Sequence, residues 1–248
     1  SNAQYKSDNI SINSGKVTTF SNYSVVSENR IIKKPPILNM REAVLFGCAI
    51  PTGFGMVINE IKPKKNMNIL IIGLGGIGIS SLLALKCLNH KKVILADIFQ
   101  SKLNLAKKLG FKNCINLKKV NIAEYIYSNC DGGIDICIES AGLTKTIELG
   151  FSLINNNGGK LFFASHPNNK DYIKISPHDL IKGKRIYGSW GGKSQPDKDI
   201  PKMANLIKKS QISLSSLISK TYKLKNINDA IKDLQNGKVF RPIIKMEH

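Results

Sequence analysis

The sequence has no cysteine pair at metal-ligand spacing, no run approaching eighteen apolar residues, a single tryptophan, and fewer than half as many acidic as basic side chains. Each shortage excludes something. The five cysteines stand at 48, 87, 114, 130 and 137, with no C-x-x-C and no histidine at a ligand spacing. Neither a zinc knuckle nor a disulfide framework is therefore written locally, and free thiols in a reducing, cytoplasmic setting are the expectation. Without a long apolar run or a charged-then-apolar leader, neither a membrane span nor a signal peptide has a candidate segment. Ser1-Asn2-Ala3 reads as the scar of a cleaved tag. Lys plus Arg number 37 against 17 Asp plus Glu, a formal charge of +20, which raises nucleic acid as a partner. The lysines are dispersed, as in Lys64-Lys65, Lys91-Lys92, Lys107-Lys108 and Lys118-Lys119, and lack the interleaved arginines and aromatics of a base-stacking surface. The expectation is no nucleic acid and no membrane partner, with a general attraction for anionic ligands.

What is present is a chain of 248 residues, 42% hydrophobic, long enough to bury a substantial core. From Met67 onward short β-branched runs alternate with amphipathic stretches. Strands are predicted at Asn68–Ile72, Lys92–Ala96, Phe111–Ile115, Ile134–Ile138, Lys160–Ala164 and Arg185–Gly188. Helices are predicted between them at Ile77–Asn89, Gln100–Leu109, Asn121–Ser128 and Thr144–Ile154. This alternation with short Gly- or Asn-containing joints predicts an α/β fold, a doubly wound parallel sheet with right-handed crossovers. The ends read differently. Thr18–Val26, Arg30–Lys33, Leu217–Tyr222 and Val239–Lys245 look like strands, with helices from about Met40 and over Ile227–Asn236. They suggest a second, β-rich domain that the chain leaves near Pro36 and re-enters near Leu217.

The strongest local signal is NILIIGLGGIGIS at 68–80, where four glycines fall in six positions after an apolar run. Gly73-x-Gly75-x-x-Gly78 follows a predicted strand and opens a predicted helix, the context that a dinucleotide fingerprint requires. Gly73 permits the tight turn, Gly75 lets a pyrophosphate approach the backbone, and Gly78 lets the helix pack close to the sheet. The backbone of Leu74, Gly76 and Ile77 completes an anion cradle at the helix N-terminus. Asp97 ends the next strand nineteen residues after Gly78, where a carboxylate accepts hydrogen bonds from ribose hydroxyls and repels a 2′-phosphate, favouring NAD over NADP. Lys102 is within reach of the same ribose, or else is a solvated helical lysine. A turn without a nucleotide, with Asp97 as a helix cap, is the plain alternative.

Five ordered segments carry a family resemblance: the glycine turn with Asp97, Phe46-Gly-Cys-Ala-Ile-Pro-Thr-Gly-Phe-Gly55, Asp135-Ile-Cys-Ile-Glu-Ser-Ala-Gly142, Gly188-Ser-Trp-Gly-Gly192, and Gly237-Lys-Val-Phe-Arg241. From about Thr18 onward the sequence resembles the zinc-dependent alcohol dehydrogenases of the medium-chain dehydrogenase/reductase family. The resemblance implies a Rossmann domain over 39–216 between a remnant of a GroES-like catalytic domain at 4–38 and a return segment at 217–248. It also implies that Cys48 is a ligand of the catalytic zinc and that Thr52 touches the nicotinamide. Arg241 falls on the cofactor pyrophosphate, and the backbone around Ala164–His166 and Ser189–Trp190, with Ala164, His166 and Trp190 as its site residues, lies along the nicotinamide ribose. In such an enzyme hydride passes between a small alcohol, polyol or aldehyde and NAD, while zinc polarises the oxygen. By composition alone Cys48 reads equally well as a small buried apolar residue.

The departure from the family is at the metal. Its other zinc ligands fall upstream of the segment resembling Thr18–Val26, and none of His90, His166, His178 and His248 stands at a replacing spacing. The expectation is an incomplete dehydrogenase that binds NAD, with zinc completed in the full-length protein. The alternatives are a catalytically inactive NAD-binding or interaction module, and a zinc-free relative like the quinone reductases, which use NADPH. Asp171-Tyr-Ile-Lys-Ile-Ser176 alternates like a strand with no evident partner in the sheet, and the resemblance implies a homodimer joined through this region.

Overall fold

The computed structural model describes residues 4–7, 10–13, 19–130 and 132–247. The chain divides into two compact units, Ser1–Lys34 with Ser215–His248, and Pro35–Leu214. The first unit begins with an antiparallel pair, β1 (Gln4–Ser7) and β2 (Ile10–Asn13).

The larger unit opens on α1 (Met40–Ala43), which starts with a capping box. The Asn39 side chain accepts the Glu42 N–H, and the Glu42 carboxylate accepts the Asn39 N–H. A 3-10 turn, Val44–Gly47, leads to Cys48, whose φ of −153° and ψ of −64° break the helix before α2 (Ala49–Gly55). All seven α2 residues are buried, and the helix runs on into a π-helical turn, Met56–Ile61.

Then comes the alternation: β3 (Ile69–Ile72), α3 (Gly76–Cys87), β4 (Val93–Asp97), α4 (Gln100–Lys108), β5 (Cys114–Asn116), α5 (Ile122–Asn129), β6 (Ile136–Glu139), α6 (Thr144–Leu153), β7 (Lys160–Phe163), α7 (Pro177–Ile181), β8 (Arg185–Gly188) and α8 (Pro196–Lys209). The six strands are parallel in the order β5-β4-β3-β6-β7-β8. β3, β4 and β6 are apolar at nearly every position because both faces are covered. On one face Leu70, Ile72, Ile94 and Leu161 meet Ile122 and Ile126 of α5 and Ile147 and Phe151 of α6. Elsewhere α3, apolar almost all round, packs along α2, and Ser81 Oγ donates to the carbonyl of Gly53 at 3.0 Å.

The order of strands reverses between β3 and β6, which leaves a crevice at their carboxyl ends. The fold is the doubly wound Rossmann type expected.

The first unit resumes with β9 (Thr221–Lys223), α9 (Ile227–Gln235) and β10 (Ile243–Lys245), the two strands pairing in parallel. Here the structure corrects several sequence expectations. Residues 19–27 form no strand, Thr18 lies outside the described residues, and Glu28–Arg30 is a 3-10 turn followed by extended chain without a ladder partner. Leu217 ends another 3-10 turn, so the strand expected over Leu217–Tyr222 shortens to Thr221–Lys223. That expected over Val239–Lys245 likewise shortens to Ile243–Lys245. β-branched composition makes a strand possible, but only hydrogen-bonded neighbours make one. The sequence reading also missed α8, which begins with Pro196 at a first-turn position and carries Pro201 inside.

Candidate functional site

The glycine turn bridges β3 and α3. Gly73 adopts φ +88°, and a Cβ there would stand 2.7 Å from the Ala141 nitrogen. At Gly78 a Cβ would meet the Gly73 carbonyl oxygen at 2.0 Å, so the first turn of α3 rests directly on the turn. Gly75 is different. Its Cβ would face space, with nothing nearer than the Ser140 carbonyl at 4.0 Å, and no side chain caps the helix that it starts. An open backbone at an uncapped helix N-terminus is the shape and polarity that a pyrophosphate needs. Leu74, Gly76 and Ile77 make up the rest of this surface, with Leu74 itself buried.

Asp97 ends β4 and is 4% exposed. Its Oδ2 accepts the Leu74 N–H at 2.7 Å and its Oδ1 accepts the Phe99 N–H at 2.8 Å. The residue expected to read a ribose therefore also holds the glycine turn. A carboxylate has about four lone-pair sites, which leaves acceptor capacity for ribose hydroxyls. Lys102 is not a free surface lysine: its Nζ lies 3.6 Å from Asp97 Oδ2 and 4.8 Å from the centre of the Phe99 ring.

The other side of the crevice is built on Glu139, a residue to which sequence reasoning gave no role. Its carboxylate is wholly buried. Oε1 accepts from the Ala141 N–H (2.8 Å), the Gly142 N–H (2.9 Å) and Thr146 Oγ1 (2.7 Å), while Oε2 accepts from Ser165 Oγ (2.7 Å). These bonds compensate its desolvation and join the loops that follow β6 and β7. Next to it, Ser140 Oγ donates to the Gly73 carbonyl at 2.6 Å, tying the β6 loop to the glycine turn. The signal in sequence was the position of Glu139, a charged residue closing the apolar run Ile136–Ile138.

Ala164 is buried at the end of β7, and His166 is exposed beyond it. The His166 ring meets Trp190 edge-on, with centroids 5.4 Å apart, and Trp190 is 83% exposed. Thr52 is buried in α2, its hydroxyl donating to the Cys48 carbonyl at 2.9 Å. The structure thus brings Ala164, His166 and Trp190 to the carboxyl ends of neighbouring strands. Arg241 belongs to the other unit, half-buried in the bend before β10.

Cys48 is exposed. Burial pushes the thiols of Cys87, Cys114 and Cys137 up, which keeps them protonated at neutral pH. Among the described residues no group of three or more His, Cys, Asp and Glu side chains could hold a metal ion. His90 is a buried structural residue, its Nε2 2.9 Å from the Met67 carbonyl, and His178 sits on α7; His248 lies outside the described residues. A catalytic zinc needs about three protein ligands, so the described residues do not fit that ion by themselves. They do fit a dinucleotide: an open glycine cradle, a helix N-terminus and a strand-end carboxylate converge at one crevice.

Comparison with known proteins agrees with this architecture. The family model described as zinc-binding dehydrogenase matches residues 76–209, more than half of the chain, and the chain belongs to that family. Its relatives include alcohol dehydrogenase class-2 isozyme 2 of Oryctolagus cuniculus, 30% identical over 92% of this chain and 60% of the relative. Alcohol dehydrogenase 1 of Pisum sativum is 28% identical over 93% of this chain and 61% of its own length. Among solved structures, benzyl alcohol dehydrogenase from Acinetobacter calcoaceticus superposes with a TM-score of 0.84 at 30% identity, covering 90% of this chain and 62% of that one. The chain thus spans about 60% of the length of the curated relatives that it matches.

Proposed function

We propose that this chain is the NAD-binding portion of a zinc-dependent alcohol or polyol dehydrogenase. The observation that carries the reading is the open face of Gly75 at the uncapped start of α3, with Asp97 bonded to the same turn. When bound, the nicotinamide supplies the hydride acceptor or donor for a small alcohol or aldehyde. The backbone of Gly73–Gly78 binds the pyrophosphate, and Asp97, with Lys102 beside it, orients the adenosine ribose and selects against a 2′-phosphate. Ala164, His166 and Trp190 line the nicotinamide ribose and Thr52 lies toward the nicotinamide, while the family resemblance alone gives Arg241, in the other unit, to the pyrophosphate. Cys48 is available as one zinc ligand; the others would come from outside the described residues.

The first unit, with its short strand pairs, is read as a piece of a GroES-like catalytic domain. The free thiols are read with a cytoplasmic setting.

The same reading includes a homodimer formed through the open β8 edge and the segment 171–176. That segment is irregular and joins no strand of the sheet, with Ile173 and Ile175 leaning on the core and Tyr172 87% exposed. The edge strand β8 is a surface for pairing, and two copies placed about a two-fold axis would satisfy each other.

Calorimetric titration with NADH and NADPH in parallel, followed by metal analysis, tests the reading. NADH is expected to bind the more tightly. No binding of either would overturn it.

A further inference from the structure

We propose that Glu60 is a positioning residue for the nicotinamide end of the site: it fixes the strap Ser189–Ser194, and through it Trp190, against the helix that carries Thr52. The proposal rests on the dinucleotide reading above.

Glu60 lies in the apolar helical tail MVINEI, where a carboxylate is out of place, yet its side chain is only 5% exposed. A buried carboxylate is tolerated when its oxygens are bonded. Glu60 Oε2 accepts a hydrogen bond from Ser189 Oγ, and Oε1 lies 3.8 Å from Lys193 Nζ. The Lys193 side chain is 76% exposed, so solvent screens that pair and the hydroxyl carries most of the interaction. Both partners belong to the strap.

Four further contacts show that the strap has one seat. The Ser189 N–H donates to the Phe163 carbonyl at 2.8 Å, extending the β7 ladder past β8. Asn59 Nδ2 donates to the Gly192 carbonyl at 3.1 Å, and Ser194 Oγ donates to the Pro51 carbonyl at 2.8 Å. At Gly192 a Cβ would stand 2.4 Å from the Thr52 carbonyl oxygen, so strap and helix touch backbone to backbone. The π turn matters here. Its wider winding brings consecutive side chains closer in direction than an α-helix does, and both Asn59 and Glu60 reach the strap.

Every contact named so far holds the base of the strap. Its tip is Trp190, a large aromatic left exposed and touching His166 edge-on. An exposed tryptophan on a rigid base offers a fixed apolar wall at low ordering cost. Loss of the Glu60 bond would release the Ser189 hydroxyl, beside Trp190, and let that wall shift while the Ser189 N–H, the glycine turn and Asp97 keep their bonds.

This separation gives the test. Trp190 is the only tryptophan, so energy transfer from it to NADH reports binding at that end. NADH would be titrated by this signal and ADP-ribose, which lacks the nicotinamide, by calorimetry, for the unaltered chain, Glu60→Ala and Glu60→Gln. Glu60→Ala is expected to weaken NADH about 10-fold, the scale of one lost hydrogen bond to a charged group, and to leave ADP-ribose within about twofold. Glu60→Gln keeps an acceptor for Ser189 and should restore NADH affinity to within about threefold. If Glu60→Ala does not fold, Ser189→Ala makes the same comparison from the donor's side. Equal losses for the two ligands, or none, would overturn the role of Glu60 alone. Failure of the unaltered chain to bind either ligand would overturn the dinucleotide reading and this inference with it.

Discussion

Asp97 Oδ2 accepts the backbone N–H of Leu74 at 2.7 Å, so the carboxylate at the end of β4 grips the glycine turn at the end of β3. The same group is proposed to bind the adenosine ribose, and its removal therefore has two consequences. Asp97→Ser is expected to shrink the preference for NADH over NADPH and also to weaken NADH about 10-fold, since a charge-assisted bond to the turn is lost. Calorimetry with both cofactors checks this. Equal affinities in the unaltered chain would remove the basis for assigning NAD.

Two glycines of the turn separate packing from binding. Gly78→Ala places a Cβ 2.0 Å from the Gly73 carbonyl oxygen, and overpacking of this kind costs about 1–3 kcal/mol; a drop in melting temperature is expected. Gly75→Ala meets open space and keeps an ordinary φ of −75°, so stability should hold within about 0.5 kcal/mol while NADH affinity falls. Thermal melts read beside titrations decide it. A large loss of stability in Gly75→Ala would show that its open face is not reserved for a ligand.

Zinc should be carried by the purified chain at far less than one tightly held ion, since the described residues include no group of three or more His, Cys, Asp and Glu side chains that could hold it. Dehydrogenase turnover by the chain alone should be absent or very poor. Elemental analysis before and after Cys48→Ser tests the first point: stoichiometric zinc that disappears with the thiol would reveal ligands elsewhere.

Homodimerisation is expected in solution. The charge of +20 on each copy opposes it, but at physiological ionic strength charges are screened beyond about 8 Å. Ile173→Pro removes a backbone donor from segment 171–176 and should shift light scattering toward the monomer. A monomeric unaltered chain at micromolar concentration, in moderate salt, would refute the dimer.

In the smaller unit Tyr222 Oη donates to Asp233 Oδ2 at 2.7 Å, linking β9 to α9. Burial, then the hydrogen bond to Asp233, pushes the Tyr222 phenol up to about 12 from 10.0. The bond to Tyr222 holds Asp233 below its usual 3.8. A raised phenol stabilises the folded unit below its unfolded value near 10 and loses that contribution as pH climbs through about 12. A lowered carboxyl stabilises above 3.8 and loses that contribution as pH falls below it. The link should therefore be intact between these limits. Protection of the α9 amides, taken relative to their intrinsic exchange rate at each pH, should be greatest across that plateau, and Tyr222→Phe should lower it there; unchanged protection would show that the link is immaterial.

The elements legible in sequence were those whose signal is local. Gly73, Gly75 and Gly78 announce a turn because only missing side chains permit its φ angles and contacts, and Asp97 follows at the end of an apolar run. The segments around residues 18–33 deceived because Thr and Val favour strands wherever a neighbouring strand exists, and residues 19–33 form no strand ladder. Pro196 and Pro201 masked α8, although a proline in the first turn costs a helix little.

Sequence by itself determined the alternation of β and α elements and the chemistry of the turn, because hydrophobic period and glycine spacing act over a few residues. Tertiary structure alone decided what the buried carboxylates do. Glu60 meets Ser189 across 129 positions, Glu139 meets Ser165 across 26, and Asp97 meets Leu74 across 23. A carboxylate removed from water takes whichever donors the fold sets beside it, and those neighbours exist only once the parallel strands have been brought into register.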